Sequence, residues 1–386
     1  MNLLHNKNMS ARGGSAIGGK KILLVTRPIC PPWDEASKNF AYYLARNIKS
    51  LTFTLLTCGK MKGLPENIEQ KSIYTSAKLS WWQRLNLLKV IPLKNKFDVV
   101  HFMLTPNKLN VFAFRKLLKS KKARTIQTIA TLREDLYSDE DLKRLMFADL
   151  IITYSDHACN KLKSLGLKNV KRVYPGIDLE EYRRKEKDPD LMREFNFSPL
   201  DFIINFTGEY TRLGAMDDVI DAFIEISREI PNAKLSLAVR IKNDADAKKK
   251  EEVIQKLKDN DLFGRVAFQD DGSYQMTDVY NLCDVSIFPV QNMKGKFDVP
   301  LAVIEAMACE KPVIISDLEI LQEFTKDDNS VRIKKGNVKE LVDELKNLVN
   351  SKENRERIGK EARRYVEENF DIKNVAKNYQ EIYEKL

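Results

Sequence analysis

Short apolar runs alternate with helical stripes along this chain, and the alternation starts afresh once, near the middle. Lys21 to Thr26 (K-I-L-L-V-T) opens the first series; a helical pattern covers Ala36 to Ile48, and further runs follow at Leu51 to Thr57, Asp98 to Phe102, Arg124 to Ile129 and Leu150 to Thr153. The second series has runs at Phe202 to Phe206, Lys234 to Val239, Arg265 to Phe268, Asp284 to Phe288 and Val313 to Ser316. Its first helix, from Met216, repeats Val219, Ile220 and Phe223 on one face. Apolar runs without polar alternation suit strands buried on both faces, and strands separated by helices pair in parallel βαβ units. The pattern predicts an α/β protein of two doubly wound parallel-sheet (Rossmann-like) domains facing each other across a cleft. A chain of 386 residues is long for one such domain and comfortable for two.

Val173 to Asp178 (V-Y-P-G-I-D) breaks the first series with Pro175 and Gly176, and a charged stretch from Glu180 to Asp190 follows. We place the first domain at residues 20–180 and the second at 185–369, with 1–19 as a disordered tail. The last helix carries Ile372, Val375 and Tyr379 on one face. That stripe would be under-buried unless residues 370–386 cross back to pack on the first domain.

Cys30, Cys58, Cys159, Cys283 and Cys309 are odd in number, widely spaced and free of any C-x-x-C pair. They read as reduced thiols of a cytoplasmic protein, not as a disulfide frame or a zinc site. With only His5, His101 and His157 present, a histidine metal centre is not expected, and His101 reads as a strand-end residue. No apolar run approaches the roughly 20 residues that span a bilayer, and residues 1–19 lack the apolar core of a signal peptide. Charge is lopsided: of a net +10, residues 1–175 carry +19 and the remainder −9. The basic half suits a polyanion such as an anionic membrane or lipid phosphate, or else consists of solvated lysine-rich faces. Nucleic acid is not expected as a partner, since no reader motif is recognisable. Ser80 to Ile91 (S-W-W-Q-R-L-N-L-L-K-V-I) reads as a helix with Trp81, Leu85 and Leu88 on one face and Trp82, Arg84 and Lys89 beside it. It fits either peripheral contact with the inner face of the membrane or ordinary core packing.

Phe297 to Pro312 (F-D-V-P-L-A-V-I-E-A-M-A-C-E-K-P) lies between two buried runs and places a carboxylate, Glu305, within an apolar helix over Leu301 to Cys309. A loop leaving the carboxyl end of a strand and entering a helix lies where open α/β sheets bind ligands, and the amides at such a helix start favour phosphate. Pro300 has no N–H, so Leu301 and Ala302 are the usable donors there. Glu305 is placed to accept hydrogen bonds from sugar hydroxyls; the plainer alternative is a surface carboxylate just past the apolar face.

The run P-L-A-V-I-E-A-M-A-C-x-K-P-V-I resembles the C-terminal signature of retaining glycosyltransferases of family 4, which have the GT-B fold. D-V-V-H at 98–101 and P-G-I-D at 175–178 are weaker anchors of the same resemblance, which covers most of residues 20 to 386. In that family two glutamates eight residues apart contact the transferred sugar and the ribose of the nucleotide. Glu305 matches the second; Phe297 stands at the first, with Asp298 beside it. The family's phosphate-binding Arg and Lys fall on Glu209 and Gly214, and its first-domain His falls on Ala130, so the standard cations are gone. The resemblance implies a metal-independent transferase that takes a nucleotide sugar and needs no cofactor.

Without a metal, a departing diphosphate needs Arg, Lys or helix amides. Arg212 lies in the loop Gly208 to Met216, Arg240 ends the next strand, and Lys296 precedes Asp298. We expect these three to replace the missing pair, with Asp298 on the sugar. In the first domain, the loop R-P-I-C-P-P-W-D-E-A-S-K-N at 27–39 has no glycine. Trp33 would stack on a sugar or else plug the crevice, Asp34 and Asn39 would bind hydroxyls, and Arg27, Lys38 and Arg133 would hold an acceptor phosphate. The reading is a hexosyltransferase acting on a lipid-linked or glycan acceptor. A relative that has lost catalysis and serves as a regulatory or scaffold subunit is the alternative.

Overall fold

The computed structural model describes residues 19–31, 33, 35–77, 79–87, 96–117 and 123–386. The expected tail at 1–19 and the positions Asp34 and Lys89 therefore lie outside the described residues, apart from Gly19. Two all-parallel sheets are present. The first consists of β1 (Lys21–Ile29), β2 (Thr52–Thr57), β3 (Ile68–Ser72), β4 (Val99–Phe102), β5 (Arg124–Ile129), β6 (Leu150–Thr153) and β7 (Val170–Arg172), in the order β3-β2-β1-β4-β5-β6-β7. The second consists of β8 (Phe202–Gly208), β9 (Ala233–Val239), β10 (Val266–Phe268), β11 (Val285–Phe288), β12 (Val313–Ser316) and β13 (Val331–Ile333), in the order β10-β9-β8-β11-β12-β13. The order reverses between β1 and β4 in one sheet and between β8 and β11 in the other. Those two reversals open the crevices at which such sheets bind ligands.

Three strands escaped the sequence reading, β3 (I-E-Q-K-S), β7 (V-K-R) and β13 (V-R-I), and each is an edge strand. An edge strand meets the core less completely than a central one, so it needs no apolar run; β3 buries only Ile68 fully. All five cysteines are free thiols, and two of them are neighbours: Cys30 follows β1 and Cys58 follows β2, and parallel pairing of those strands brings the two thiols together. Register, not spacing along the chain, puts them side by side.

The final helix, Ile372–Lys385, lies against the helix Ala36–Asn47 of the first domain, with Tyr379 edging Phe40 and Tyr383 edging Phe53. His101 is fully buried beneath it, one ring nitrogen 2.7 Å from the Tyr383 hydroxyl and the other 2.6 Å from Thr128 Oγ1. Burial pushes its pKa down to about 3, so it is a neutral packing group. The charged stretch after residue 180 is pinned: Thr277 and Asn281 side chains donate to the Glu181 and Arg183 carbonyls, and Lys185 N–H donates to Asn281. The helix Trp81–Asn86 is six residues long, with Gln83 buried and Leu85 39% exposed. The side chains of Trp81, Trp82 and Arg84 lie outside the described residues.

Candidate functional site

Four loops converge where the two reversals face each other. From the second domain come the loop after β8 (209–215), the loop after β9 (240–243) and the loop after β11 (289–300); from the first comes the loop after β5 (130–138). Glu209 is the hub. Its side chain is 5% exposed, and Arg212 holds both its oxygens through Nε and Nη2. Lys296 Nζ lies 2.7 Å and Lys242 Nζ 2.9 Å from Glu209 Oε1. Burial alone would raise the Glu209 pKa, but hydrogen bonds from Arg212, Lys296 and Lys242 outweigh it and hold the group well below the carboxylate range. One carboxylate thus gathers three cations, leaving the cluster net positive.

Two of the three expected cations meet here, Arg212 and Lys296. The third is Lys242: the chain leaves the carboxyl end of β9 at Val239, and the residue that turns back to Glu209 comes three positions later, two beyond Arg240. Period-2 reasoning stops at the end of a strand, so the sequence offered no way to choose between them. Gly214 explains why the family's Lys is missing from its usual place. It has φ +69°, and a Cβ there would lie 3.0 Å from Gln291, so a long side chain would be strained at this turn.

A depressed carboxylate pKa contributes stability that is present above the ordinary value and lost as pH falls through the folded one. Glu209→Gln should therefore destabilise the protein at neutral pH and lose its disadvantage in acid. We expect about 1–3 kcal/mol, discounted because the cations are partly solvated and can turn outward. Denaturant melts at pH 7 and pH 3 test this, and a constant difference between the two would refute it.

Glu305 lies on the helix Leu301–Ala308 between β11 and β12. Tyr280, fully buried on the helix Met276–Leu282, donates to its Oε2 at 3.0 Å, and the Tyr182 ring packs beside Tyr280. Burial pushes the Glu305 pKa up to about 7, against the hydrogen bond from Tyr280. The residue as a whole is half-buried, with its carboxylate held deep against Tyr280. The N–H groups of Val303 and Ile304 are spent on the Pro300 carbonyl, while Leu301 and Ala302 supply the first-turn amides of the same helix. Neither tyrosine was singled out in the sequence: Tyr182 lies in the charged stretch after residue 180, and Tyr280 is brought to Glu305 only by the packing of its helix.

Asp298 does not face the cations. It is 3% exposed; its carboxylate accepts from Leu132 N–H at 3.2 Å and from Ser155 Oγ at 3.3 Å, and its own N–H donates to the Ala130 carbonyl at 3.0 Å. The expectation that it holds the sugar is corrected, because it latches the two domains together. Phe297 packs on Tyr154 of the first domain, and Glu323 accepts from the Asp156 and His157 amides, on the same side. Burial pushes the Asp298 pKa up to about 8. A raised carboxylate pKa costs stability progressively as pH climbs from the ordinary value to the folded one. The melting temperature of Asp298→Asn relative to wild type should therefore rise between pH 5 and pH 8; a flat difference would contradict the latch.

The described residues among the expected acceptor set have these surroundings. Arg27 pairs with Glu35 at 3.3 Å, and Lys38 is buried, 2% exposed. Asn39 Nδ2 donates to the Trp33 carbonyl, and the Trp33 ring, 40% exposed, lies 4.8 Å from Tyr42 on the outer side of the first helix. Arg133 instead sits at the crevice beside Arg212 and Gly295. Among the described residues no three His, Cys, Asp or Glu side chains group so as to hold a metal.

Known proteins bear on this arrangement. Residues 188–365 match the family Glycosyl transferases group 1. An uncharacterised glycosyltransferase of Methanocaldococcus jannaschii is 21% identical over 79% of this chain and 78% of its own length. Spore coat protein SA of Bacillus subtilis is 25% identical over 76% and 79%. Among solved structures, Anabaena HepE in complex with UDP and glucose superposes with a TM-score of 0.75 at 15% identity, covering 95% of this chain and all of that one. Sucrose-phosphate synthase from Thermosynechococcus elongatus gives 0.74 at 16%, covering 95% and 98%. The sheet orders and these matches agree: the fold is a two-domain GT-B architecture, and residues 188–365 are similar to the Glycosyl transferases group 1 family.

Proposed function

We propose that this protein transfers a hexose from a nucleotide-diphosphate sugar to a lipid-linked or glycan acceptor, with retention of configuration and without a metal. The reading is carried by the cation cluster around Glu209, in the loop after β8, together with the carboxylate Glu305, on the helix that follows the neighbouring strand β11. Arg212, Lys242 and Lys296 would take the negative charge that develops on the departing diphosphate, stabilised before the bond breaks because Glu209 already fixes them. Glu305 would accept from the ribose hydroxyls, and the Leu301 and Ala302 amides add partial positive charge at a helix start. The UDP and UDP-glucose held by Anabaena HepE support a nucleoside diphosphate sugar as donor class. Retention is taken from the family resemblance.

The acceptor side rests on Trp33 and the basic first half. No helix among the described residues is long and apolar enough to cross a membrane, so a lipid-linked acceptor would be met from its surface. Incubation with UDP- and GDP-linked hexoses plus a lipid extract, in a buffer containing a chelator, tests the reading. Release of nucleoside diphosphate coupled to a glycosylated product is expected. Tight donor binding without turnover for any acceptor would favour the second reading, an inactive scaffold, which draws on Glu209 occupying the usual cation position.

A further inference from the structure

Arg133 and Arg212 come from different domains yet share one arrangement. Arg212 gives Nε and Nη2 to Glu209, and Arg133 gives Nε and Nη2 to Asp135, both at 2.8 Å. In each case Nη1 remains and lies near Gly295, and Arg212 Nη1 donates to the Gly295 carbonyl at 3.2 Å. A Cβ built on Gly295 would lie 3.6 Å from Arg212 Nη1 and 3.9 Å from Arg133 Nη1. Gly295 has φ +69° and no side chain, so the space between the two guanidinium groups stays open. The Asp298 latch fixes this placement, because Leu132 and Ala130, which it holds, immediately precede Arg133, while Asp298 itself follows Gly295 by three residues.

Bringing two guanidinium groups to one point is electrostatically unfavourable, and the proximity of Arg133 opposes the charge on Arg212. Lys296 and Lys242 add to the same field. A side-on carboxylate behind each arginine orients the fork; Arg212 Nη1 spends one N–H on the Gly295 carbonyl and keeps its second for an anion. We propose that Arg133 reaches from the first domain into the diphosphate site and, with Arg212, grips the donor's phosphate across Gly295. This deepens the donor reading given above and rests on it. It also moves Arg133 from the acceptor phosphate to the donor, and it supplies from one arginine what the first loop, without glycine amides, does not offer.

Inorganic pyrophosphate is the suitable probe, since it is independent of base and sugar. Titration calorimetry of the whole chain at low salt should show pyrophosphate binding by the wild type and a roughly tenfold or greater loss in Arg133→Gln. Uridine binding should be unaffected by the change. If Arg133→Gln melts early, Arg133→Lys is read instead: it keeps the charge but not the fork, and an intermediate affinity is expected. Wild-type affinity for pyrophosphate in the folded variant overturns the role of Arg133 and leaves the donor reading intact. Failure of the wild type to bind either pyrophosphate or UDP overturns both.

Discussion

Replacing Glu305 with alanine should weaken nucleoside diphosphate binding at least about a hundredfold while the protein stays folded. Two ribose hydroxyls donating to one carboxylate make charge-assisted hydrogen bonds of about 1.5–3 kcal/mol each, and each 1.4 kcal/mol is a factor of ten. The fold should tolerate the loss because burial already disfavours the Glu305 charge, raising its pKa to about 7. Its ionisation costs stability as pH rises toward that value, so Glu305→Gln should melt no lower than wild type at pH 8. Binding should follow the opposite course in the wild type, tightening as pH climbs through about 7, because the carboxylate accepts hydrogen bonds better than the acid. Calorimetry at pH 6 and pH 8 with both proteins measures this, and equal affinity of wild type and Glu305→Ala would refute the role.

Removing Arg212 and Lys296 together should cost a comparable amount, about a hundredfold or more for UDP and far less for uridine. The logic is separation of contacts: the two cations touch Glu209 and, on the proposed reading, would meet the diphosphate, while Glu305 would take the ribose. Lys296 is the more sensitive of the two. Burial lowers its pKa against the pull of Glu209, so its charge is the more deeply set of the two and an anion beside it is less screened by solvent. The double variant should also flatten the salt dependence of binding, since rim charges respond to screening. Loss of uridine binding to the same degree would show that the cations hold the fold of the crevice and not the phosphates.

Much of this architecture was legible in the residues. The buried runs marked every central strand, since a strand covered on both faces must be apolar throughout. β3, β7 and β13 were not legible because an edge strand such as Ile68–Ser72 buries one residue and leaves its polar ones to solvent. At the site, Glu305 stood out because a carboxylate inside an apolar helix is unusual, and Arg212 and Lys296 because loops at strand ends gather at a crevice. Lys242 was hidden by the turn after Val239, and Asp298 was misjudged because sequence shows adjacency to the signature but not the direction of a side chain. Glu209 is the most instructive case. Read along the chain, it is the loss of a cation; in three dimensions it is the group that collects three of them.

On the proposed reading the Glu209 cations and Glu305 form one nucleoside diphosphate site. Titration calorimetry of the whole chain with UDP, GDP and ADP in chelator-containing buffer tests it most directly. We predict saturable one-to-one binding of at least one of them, abolished in both Glu305→Ala and the Arg212→Ala/Lys296→Ala variant. Absence of binding for all three, or heats unchanged in both variants, would contradict it.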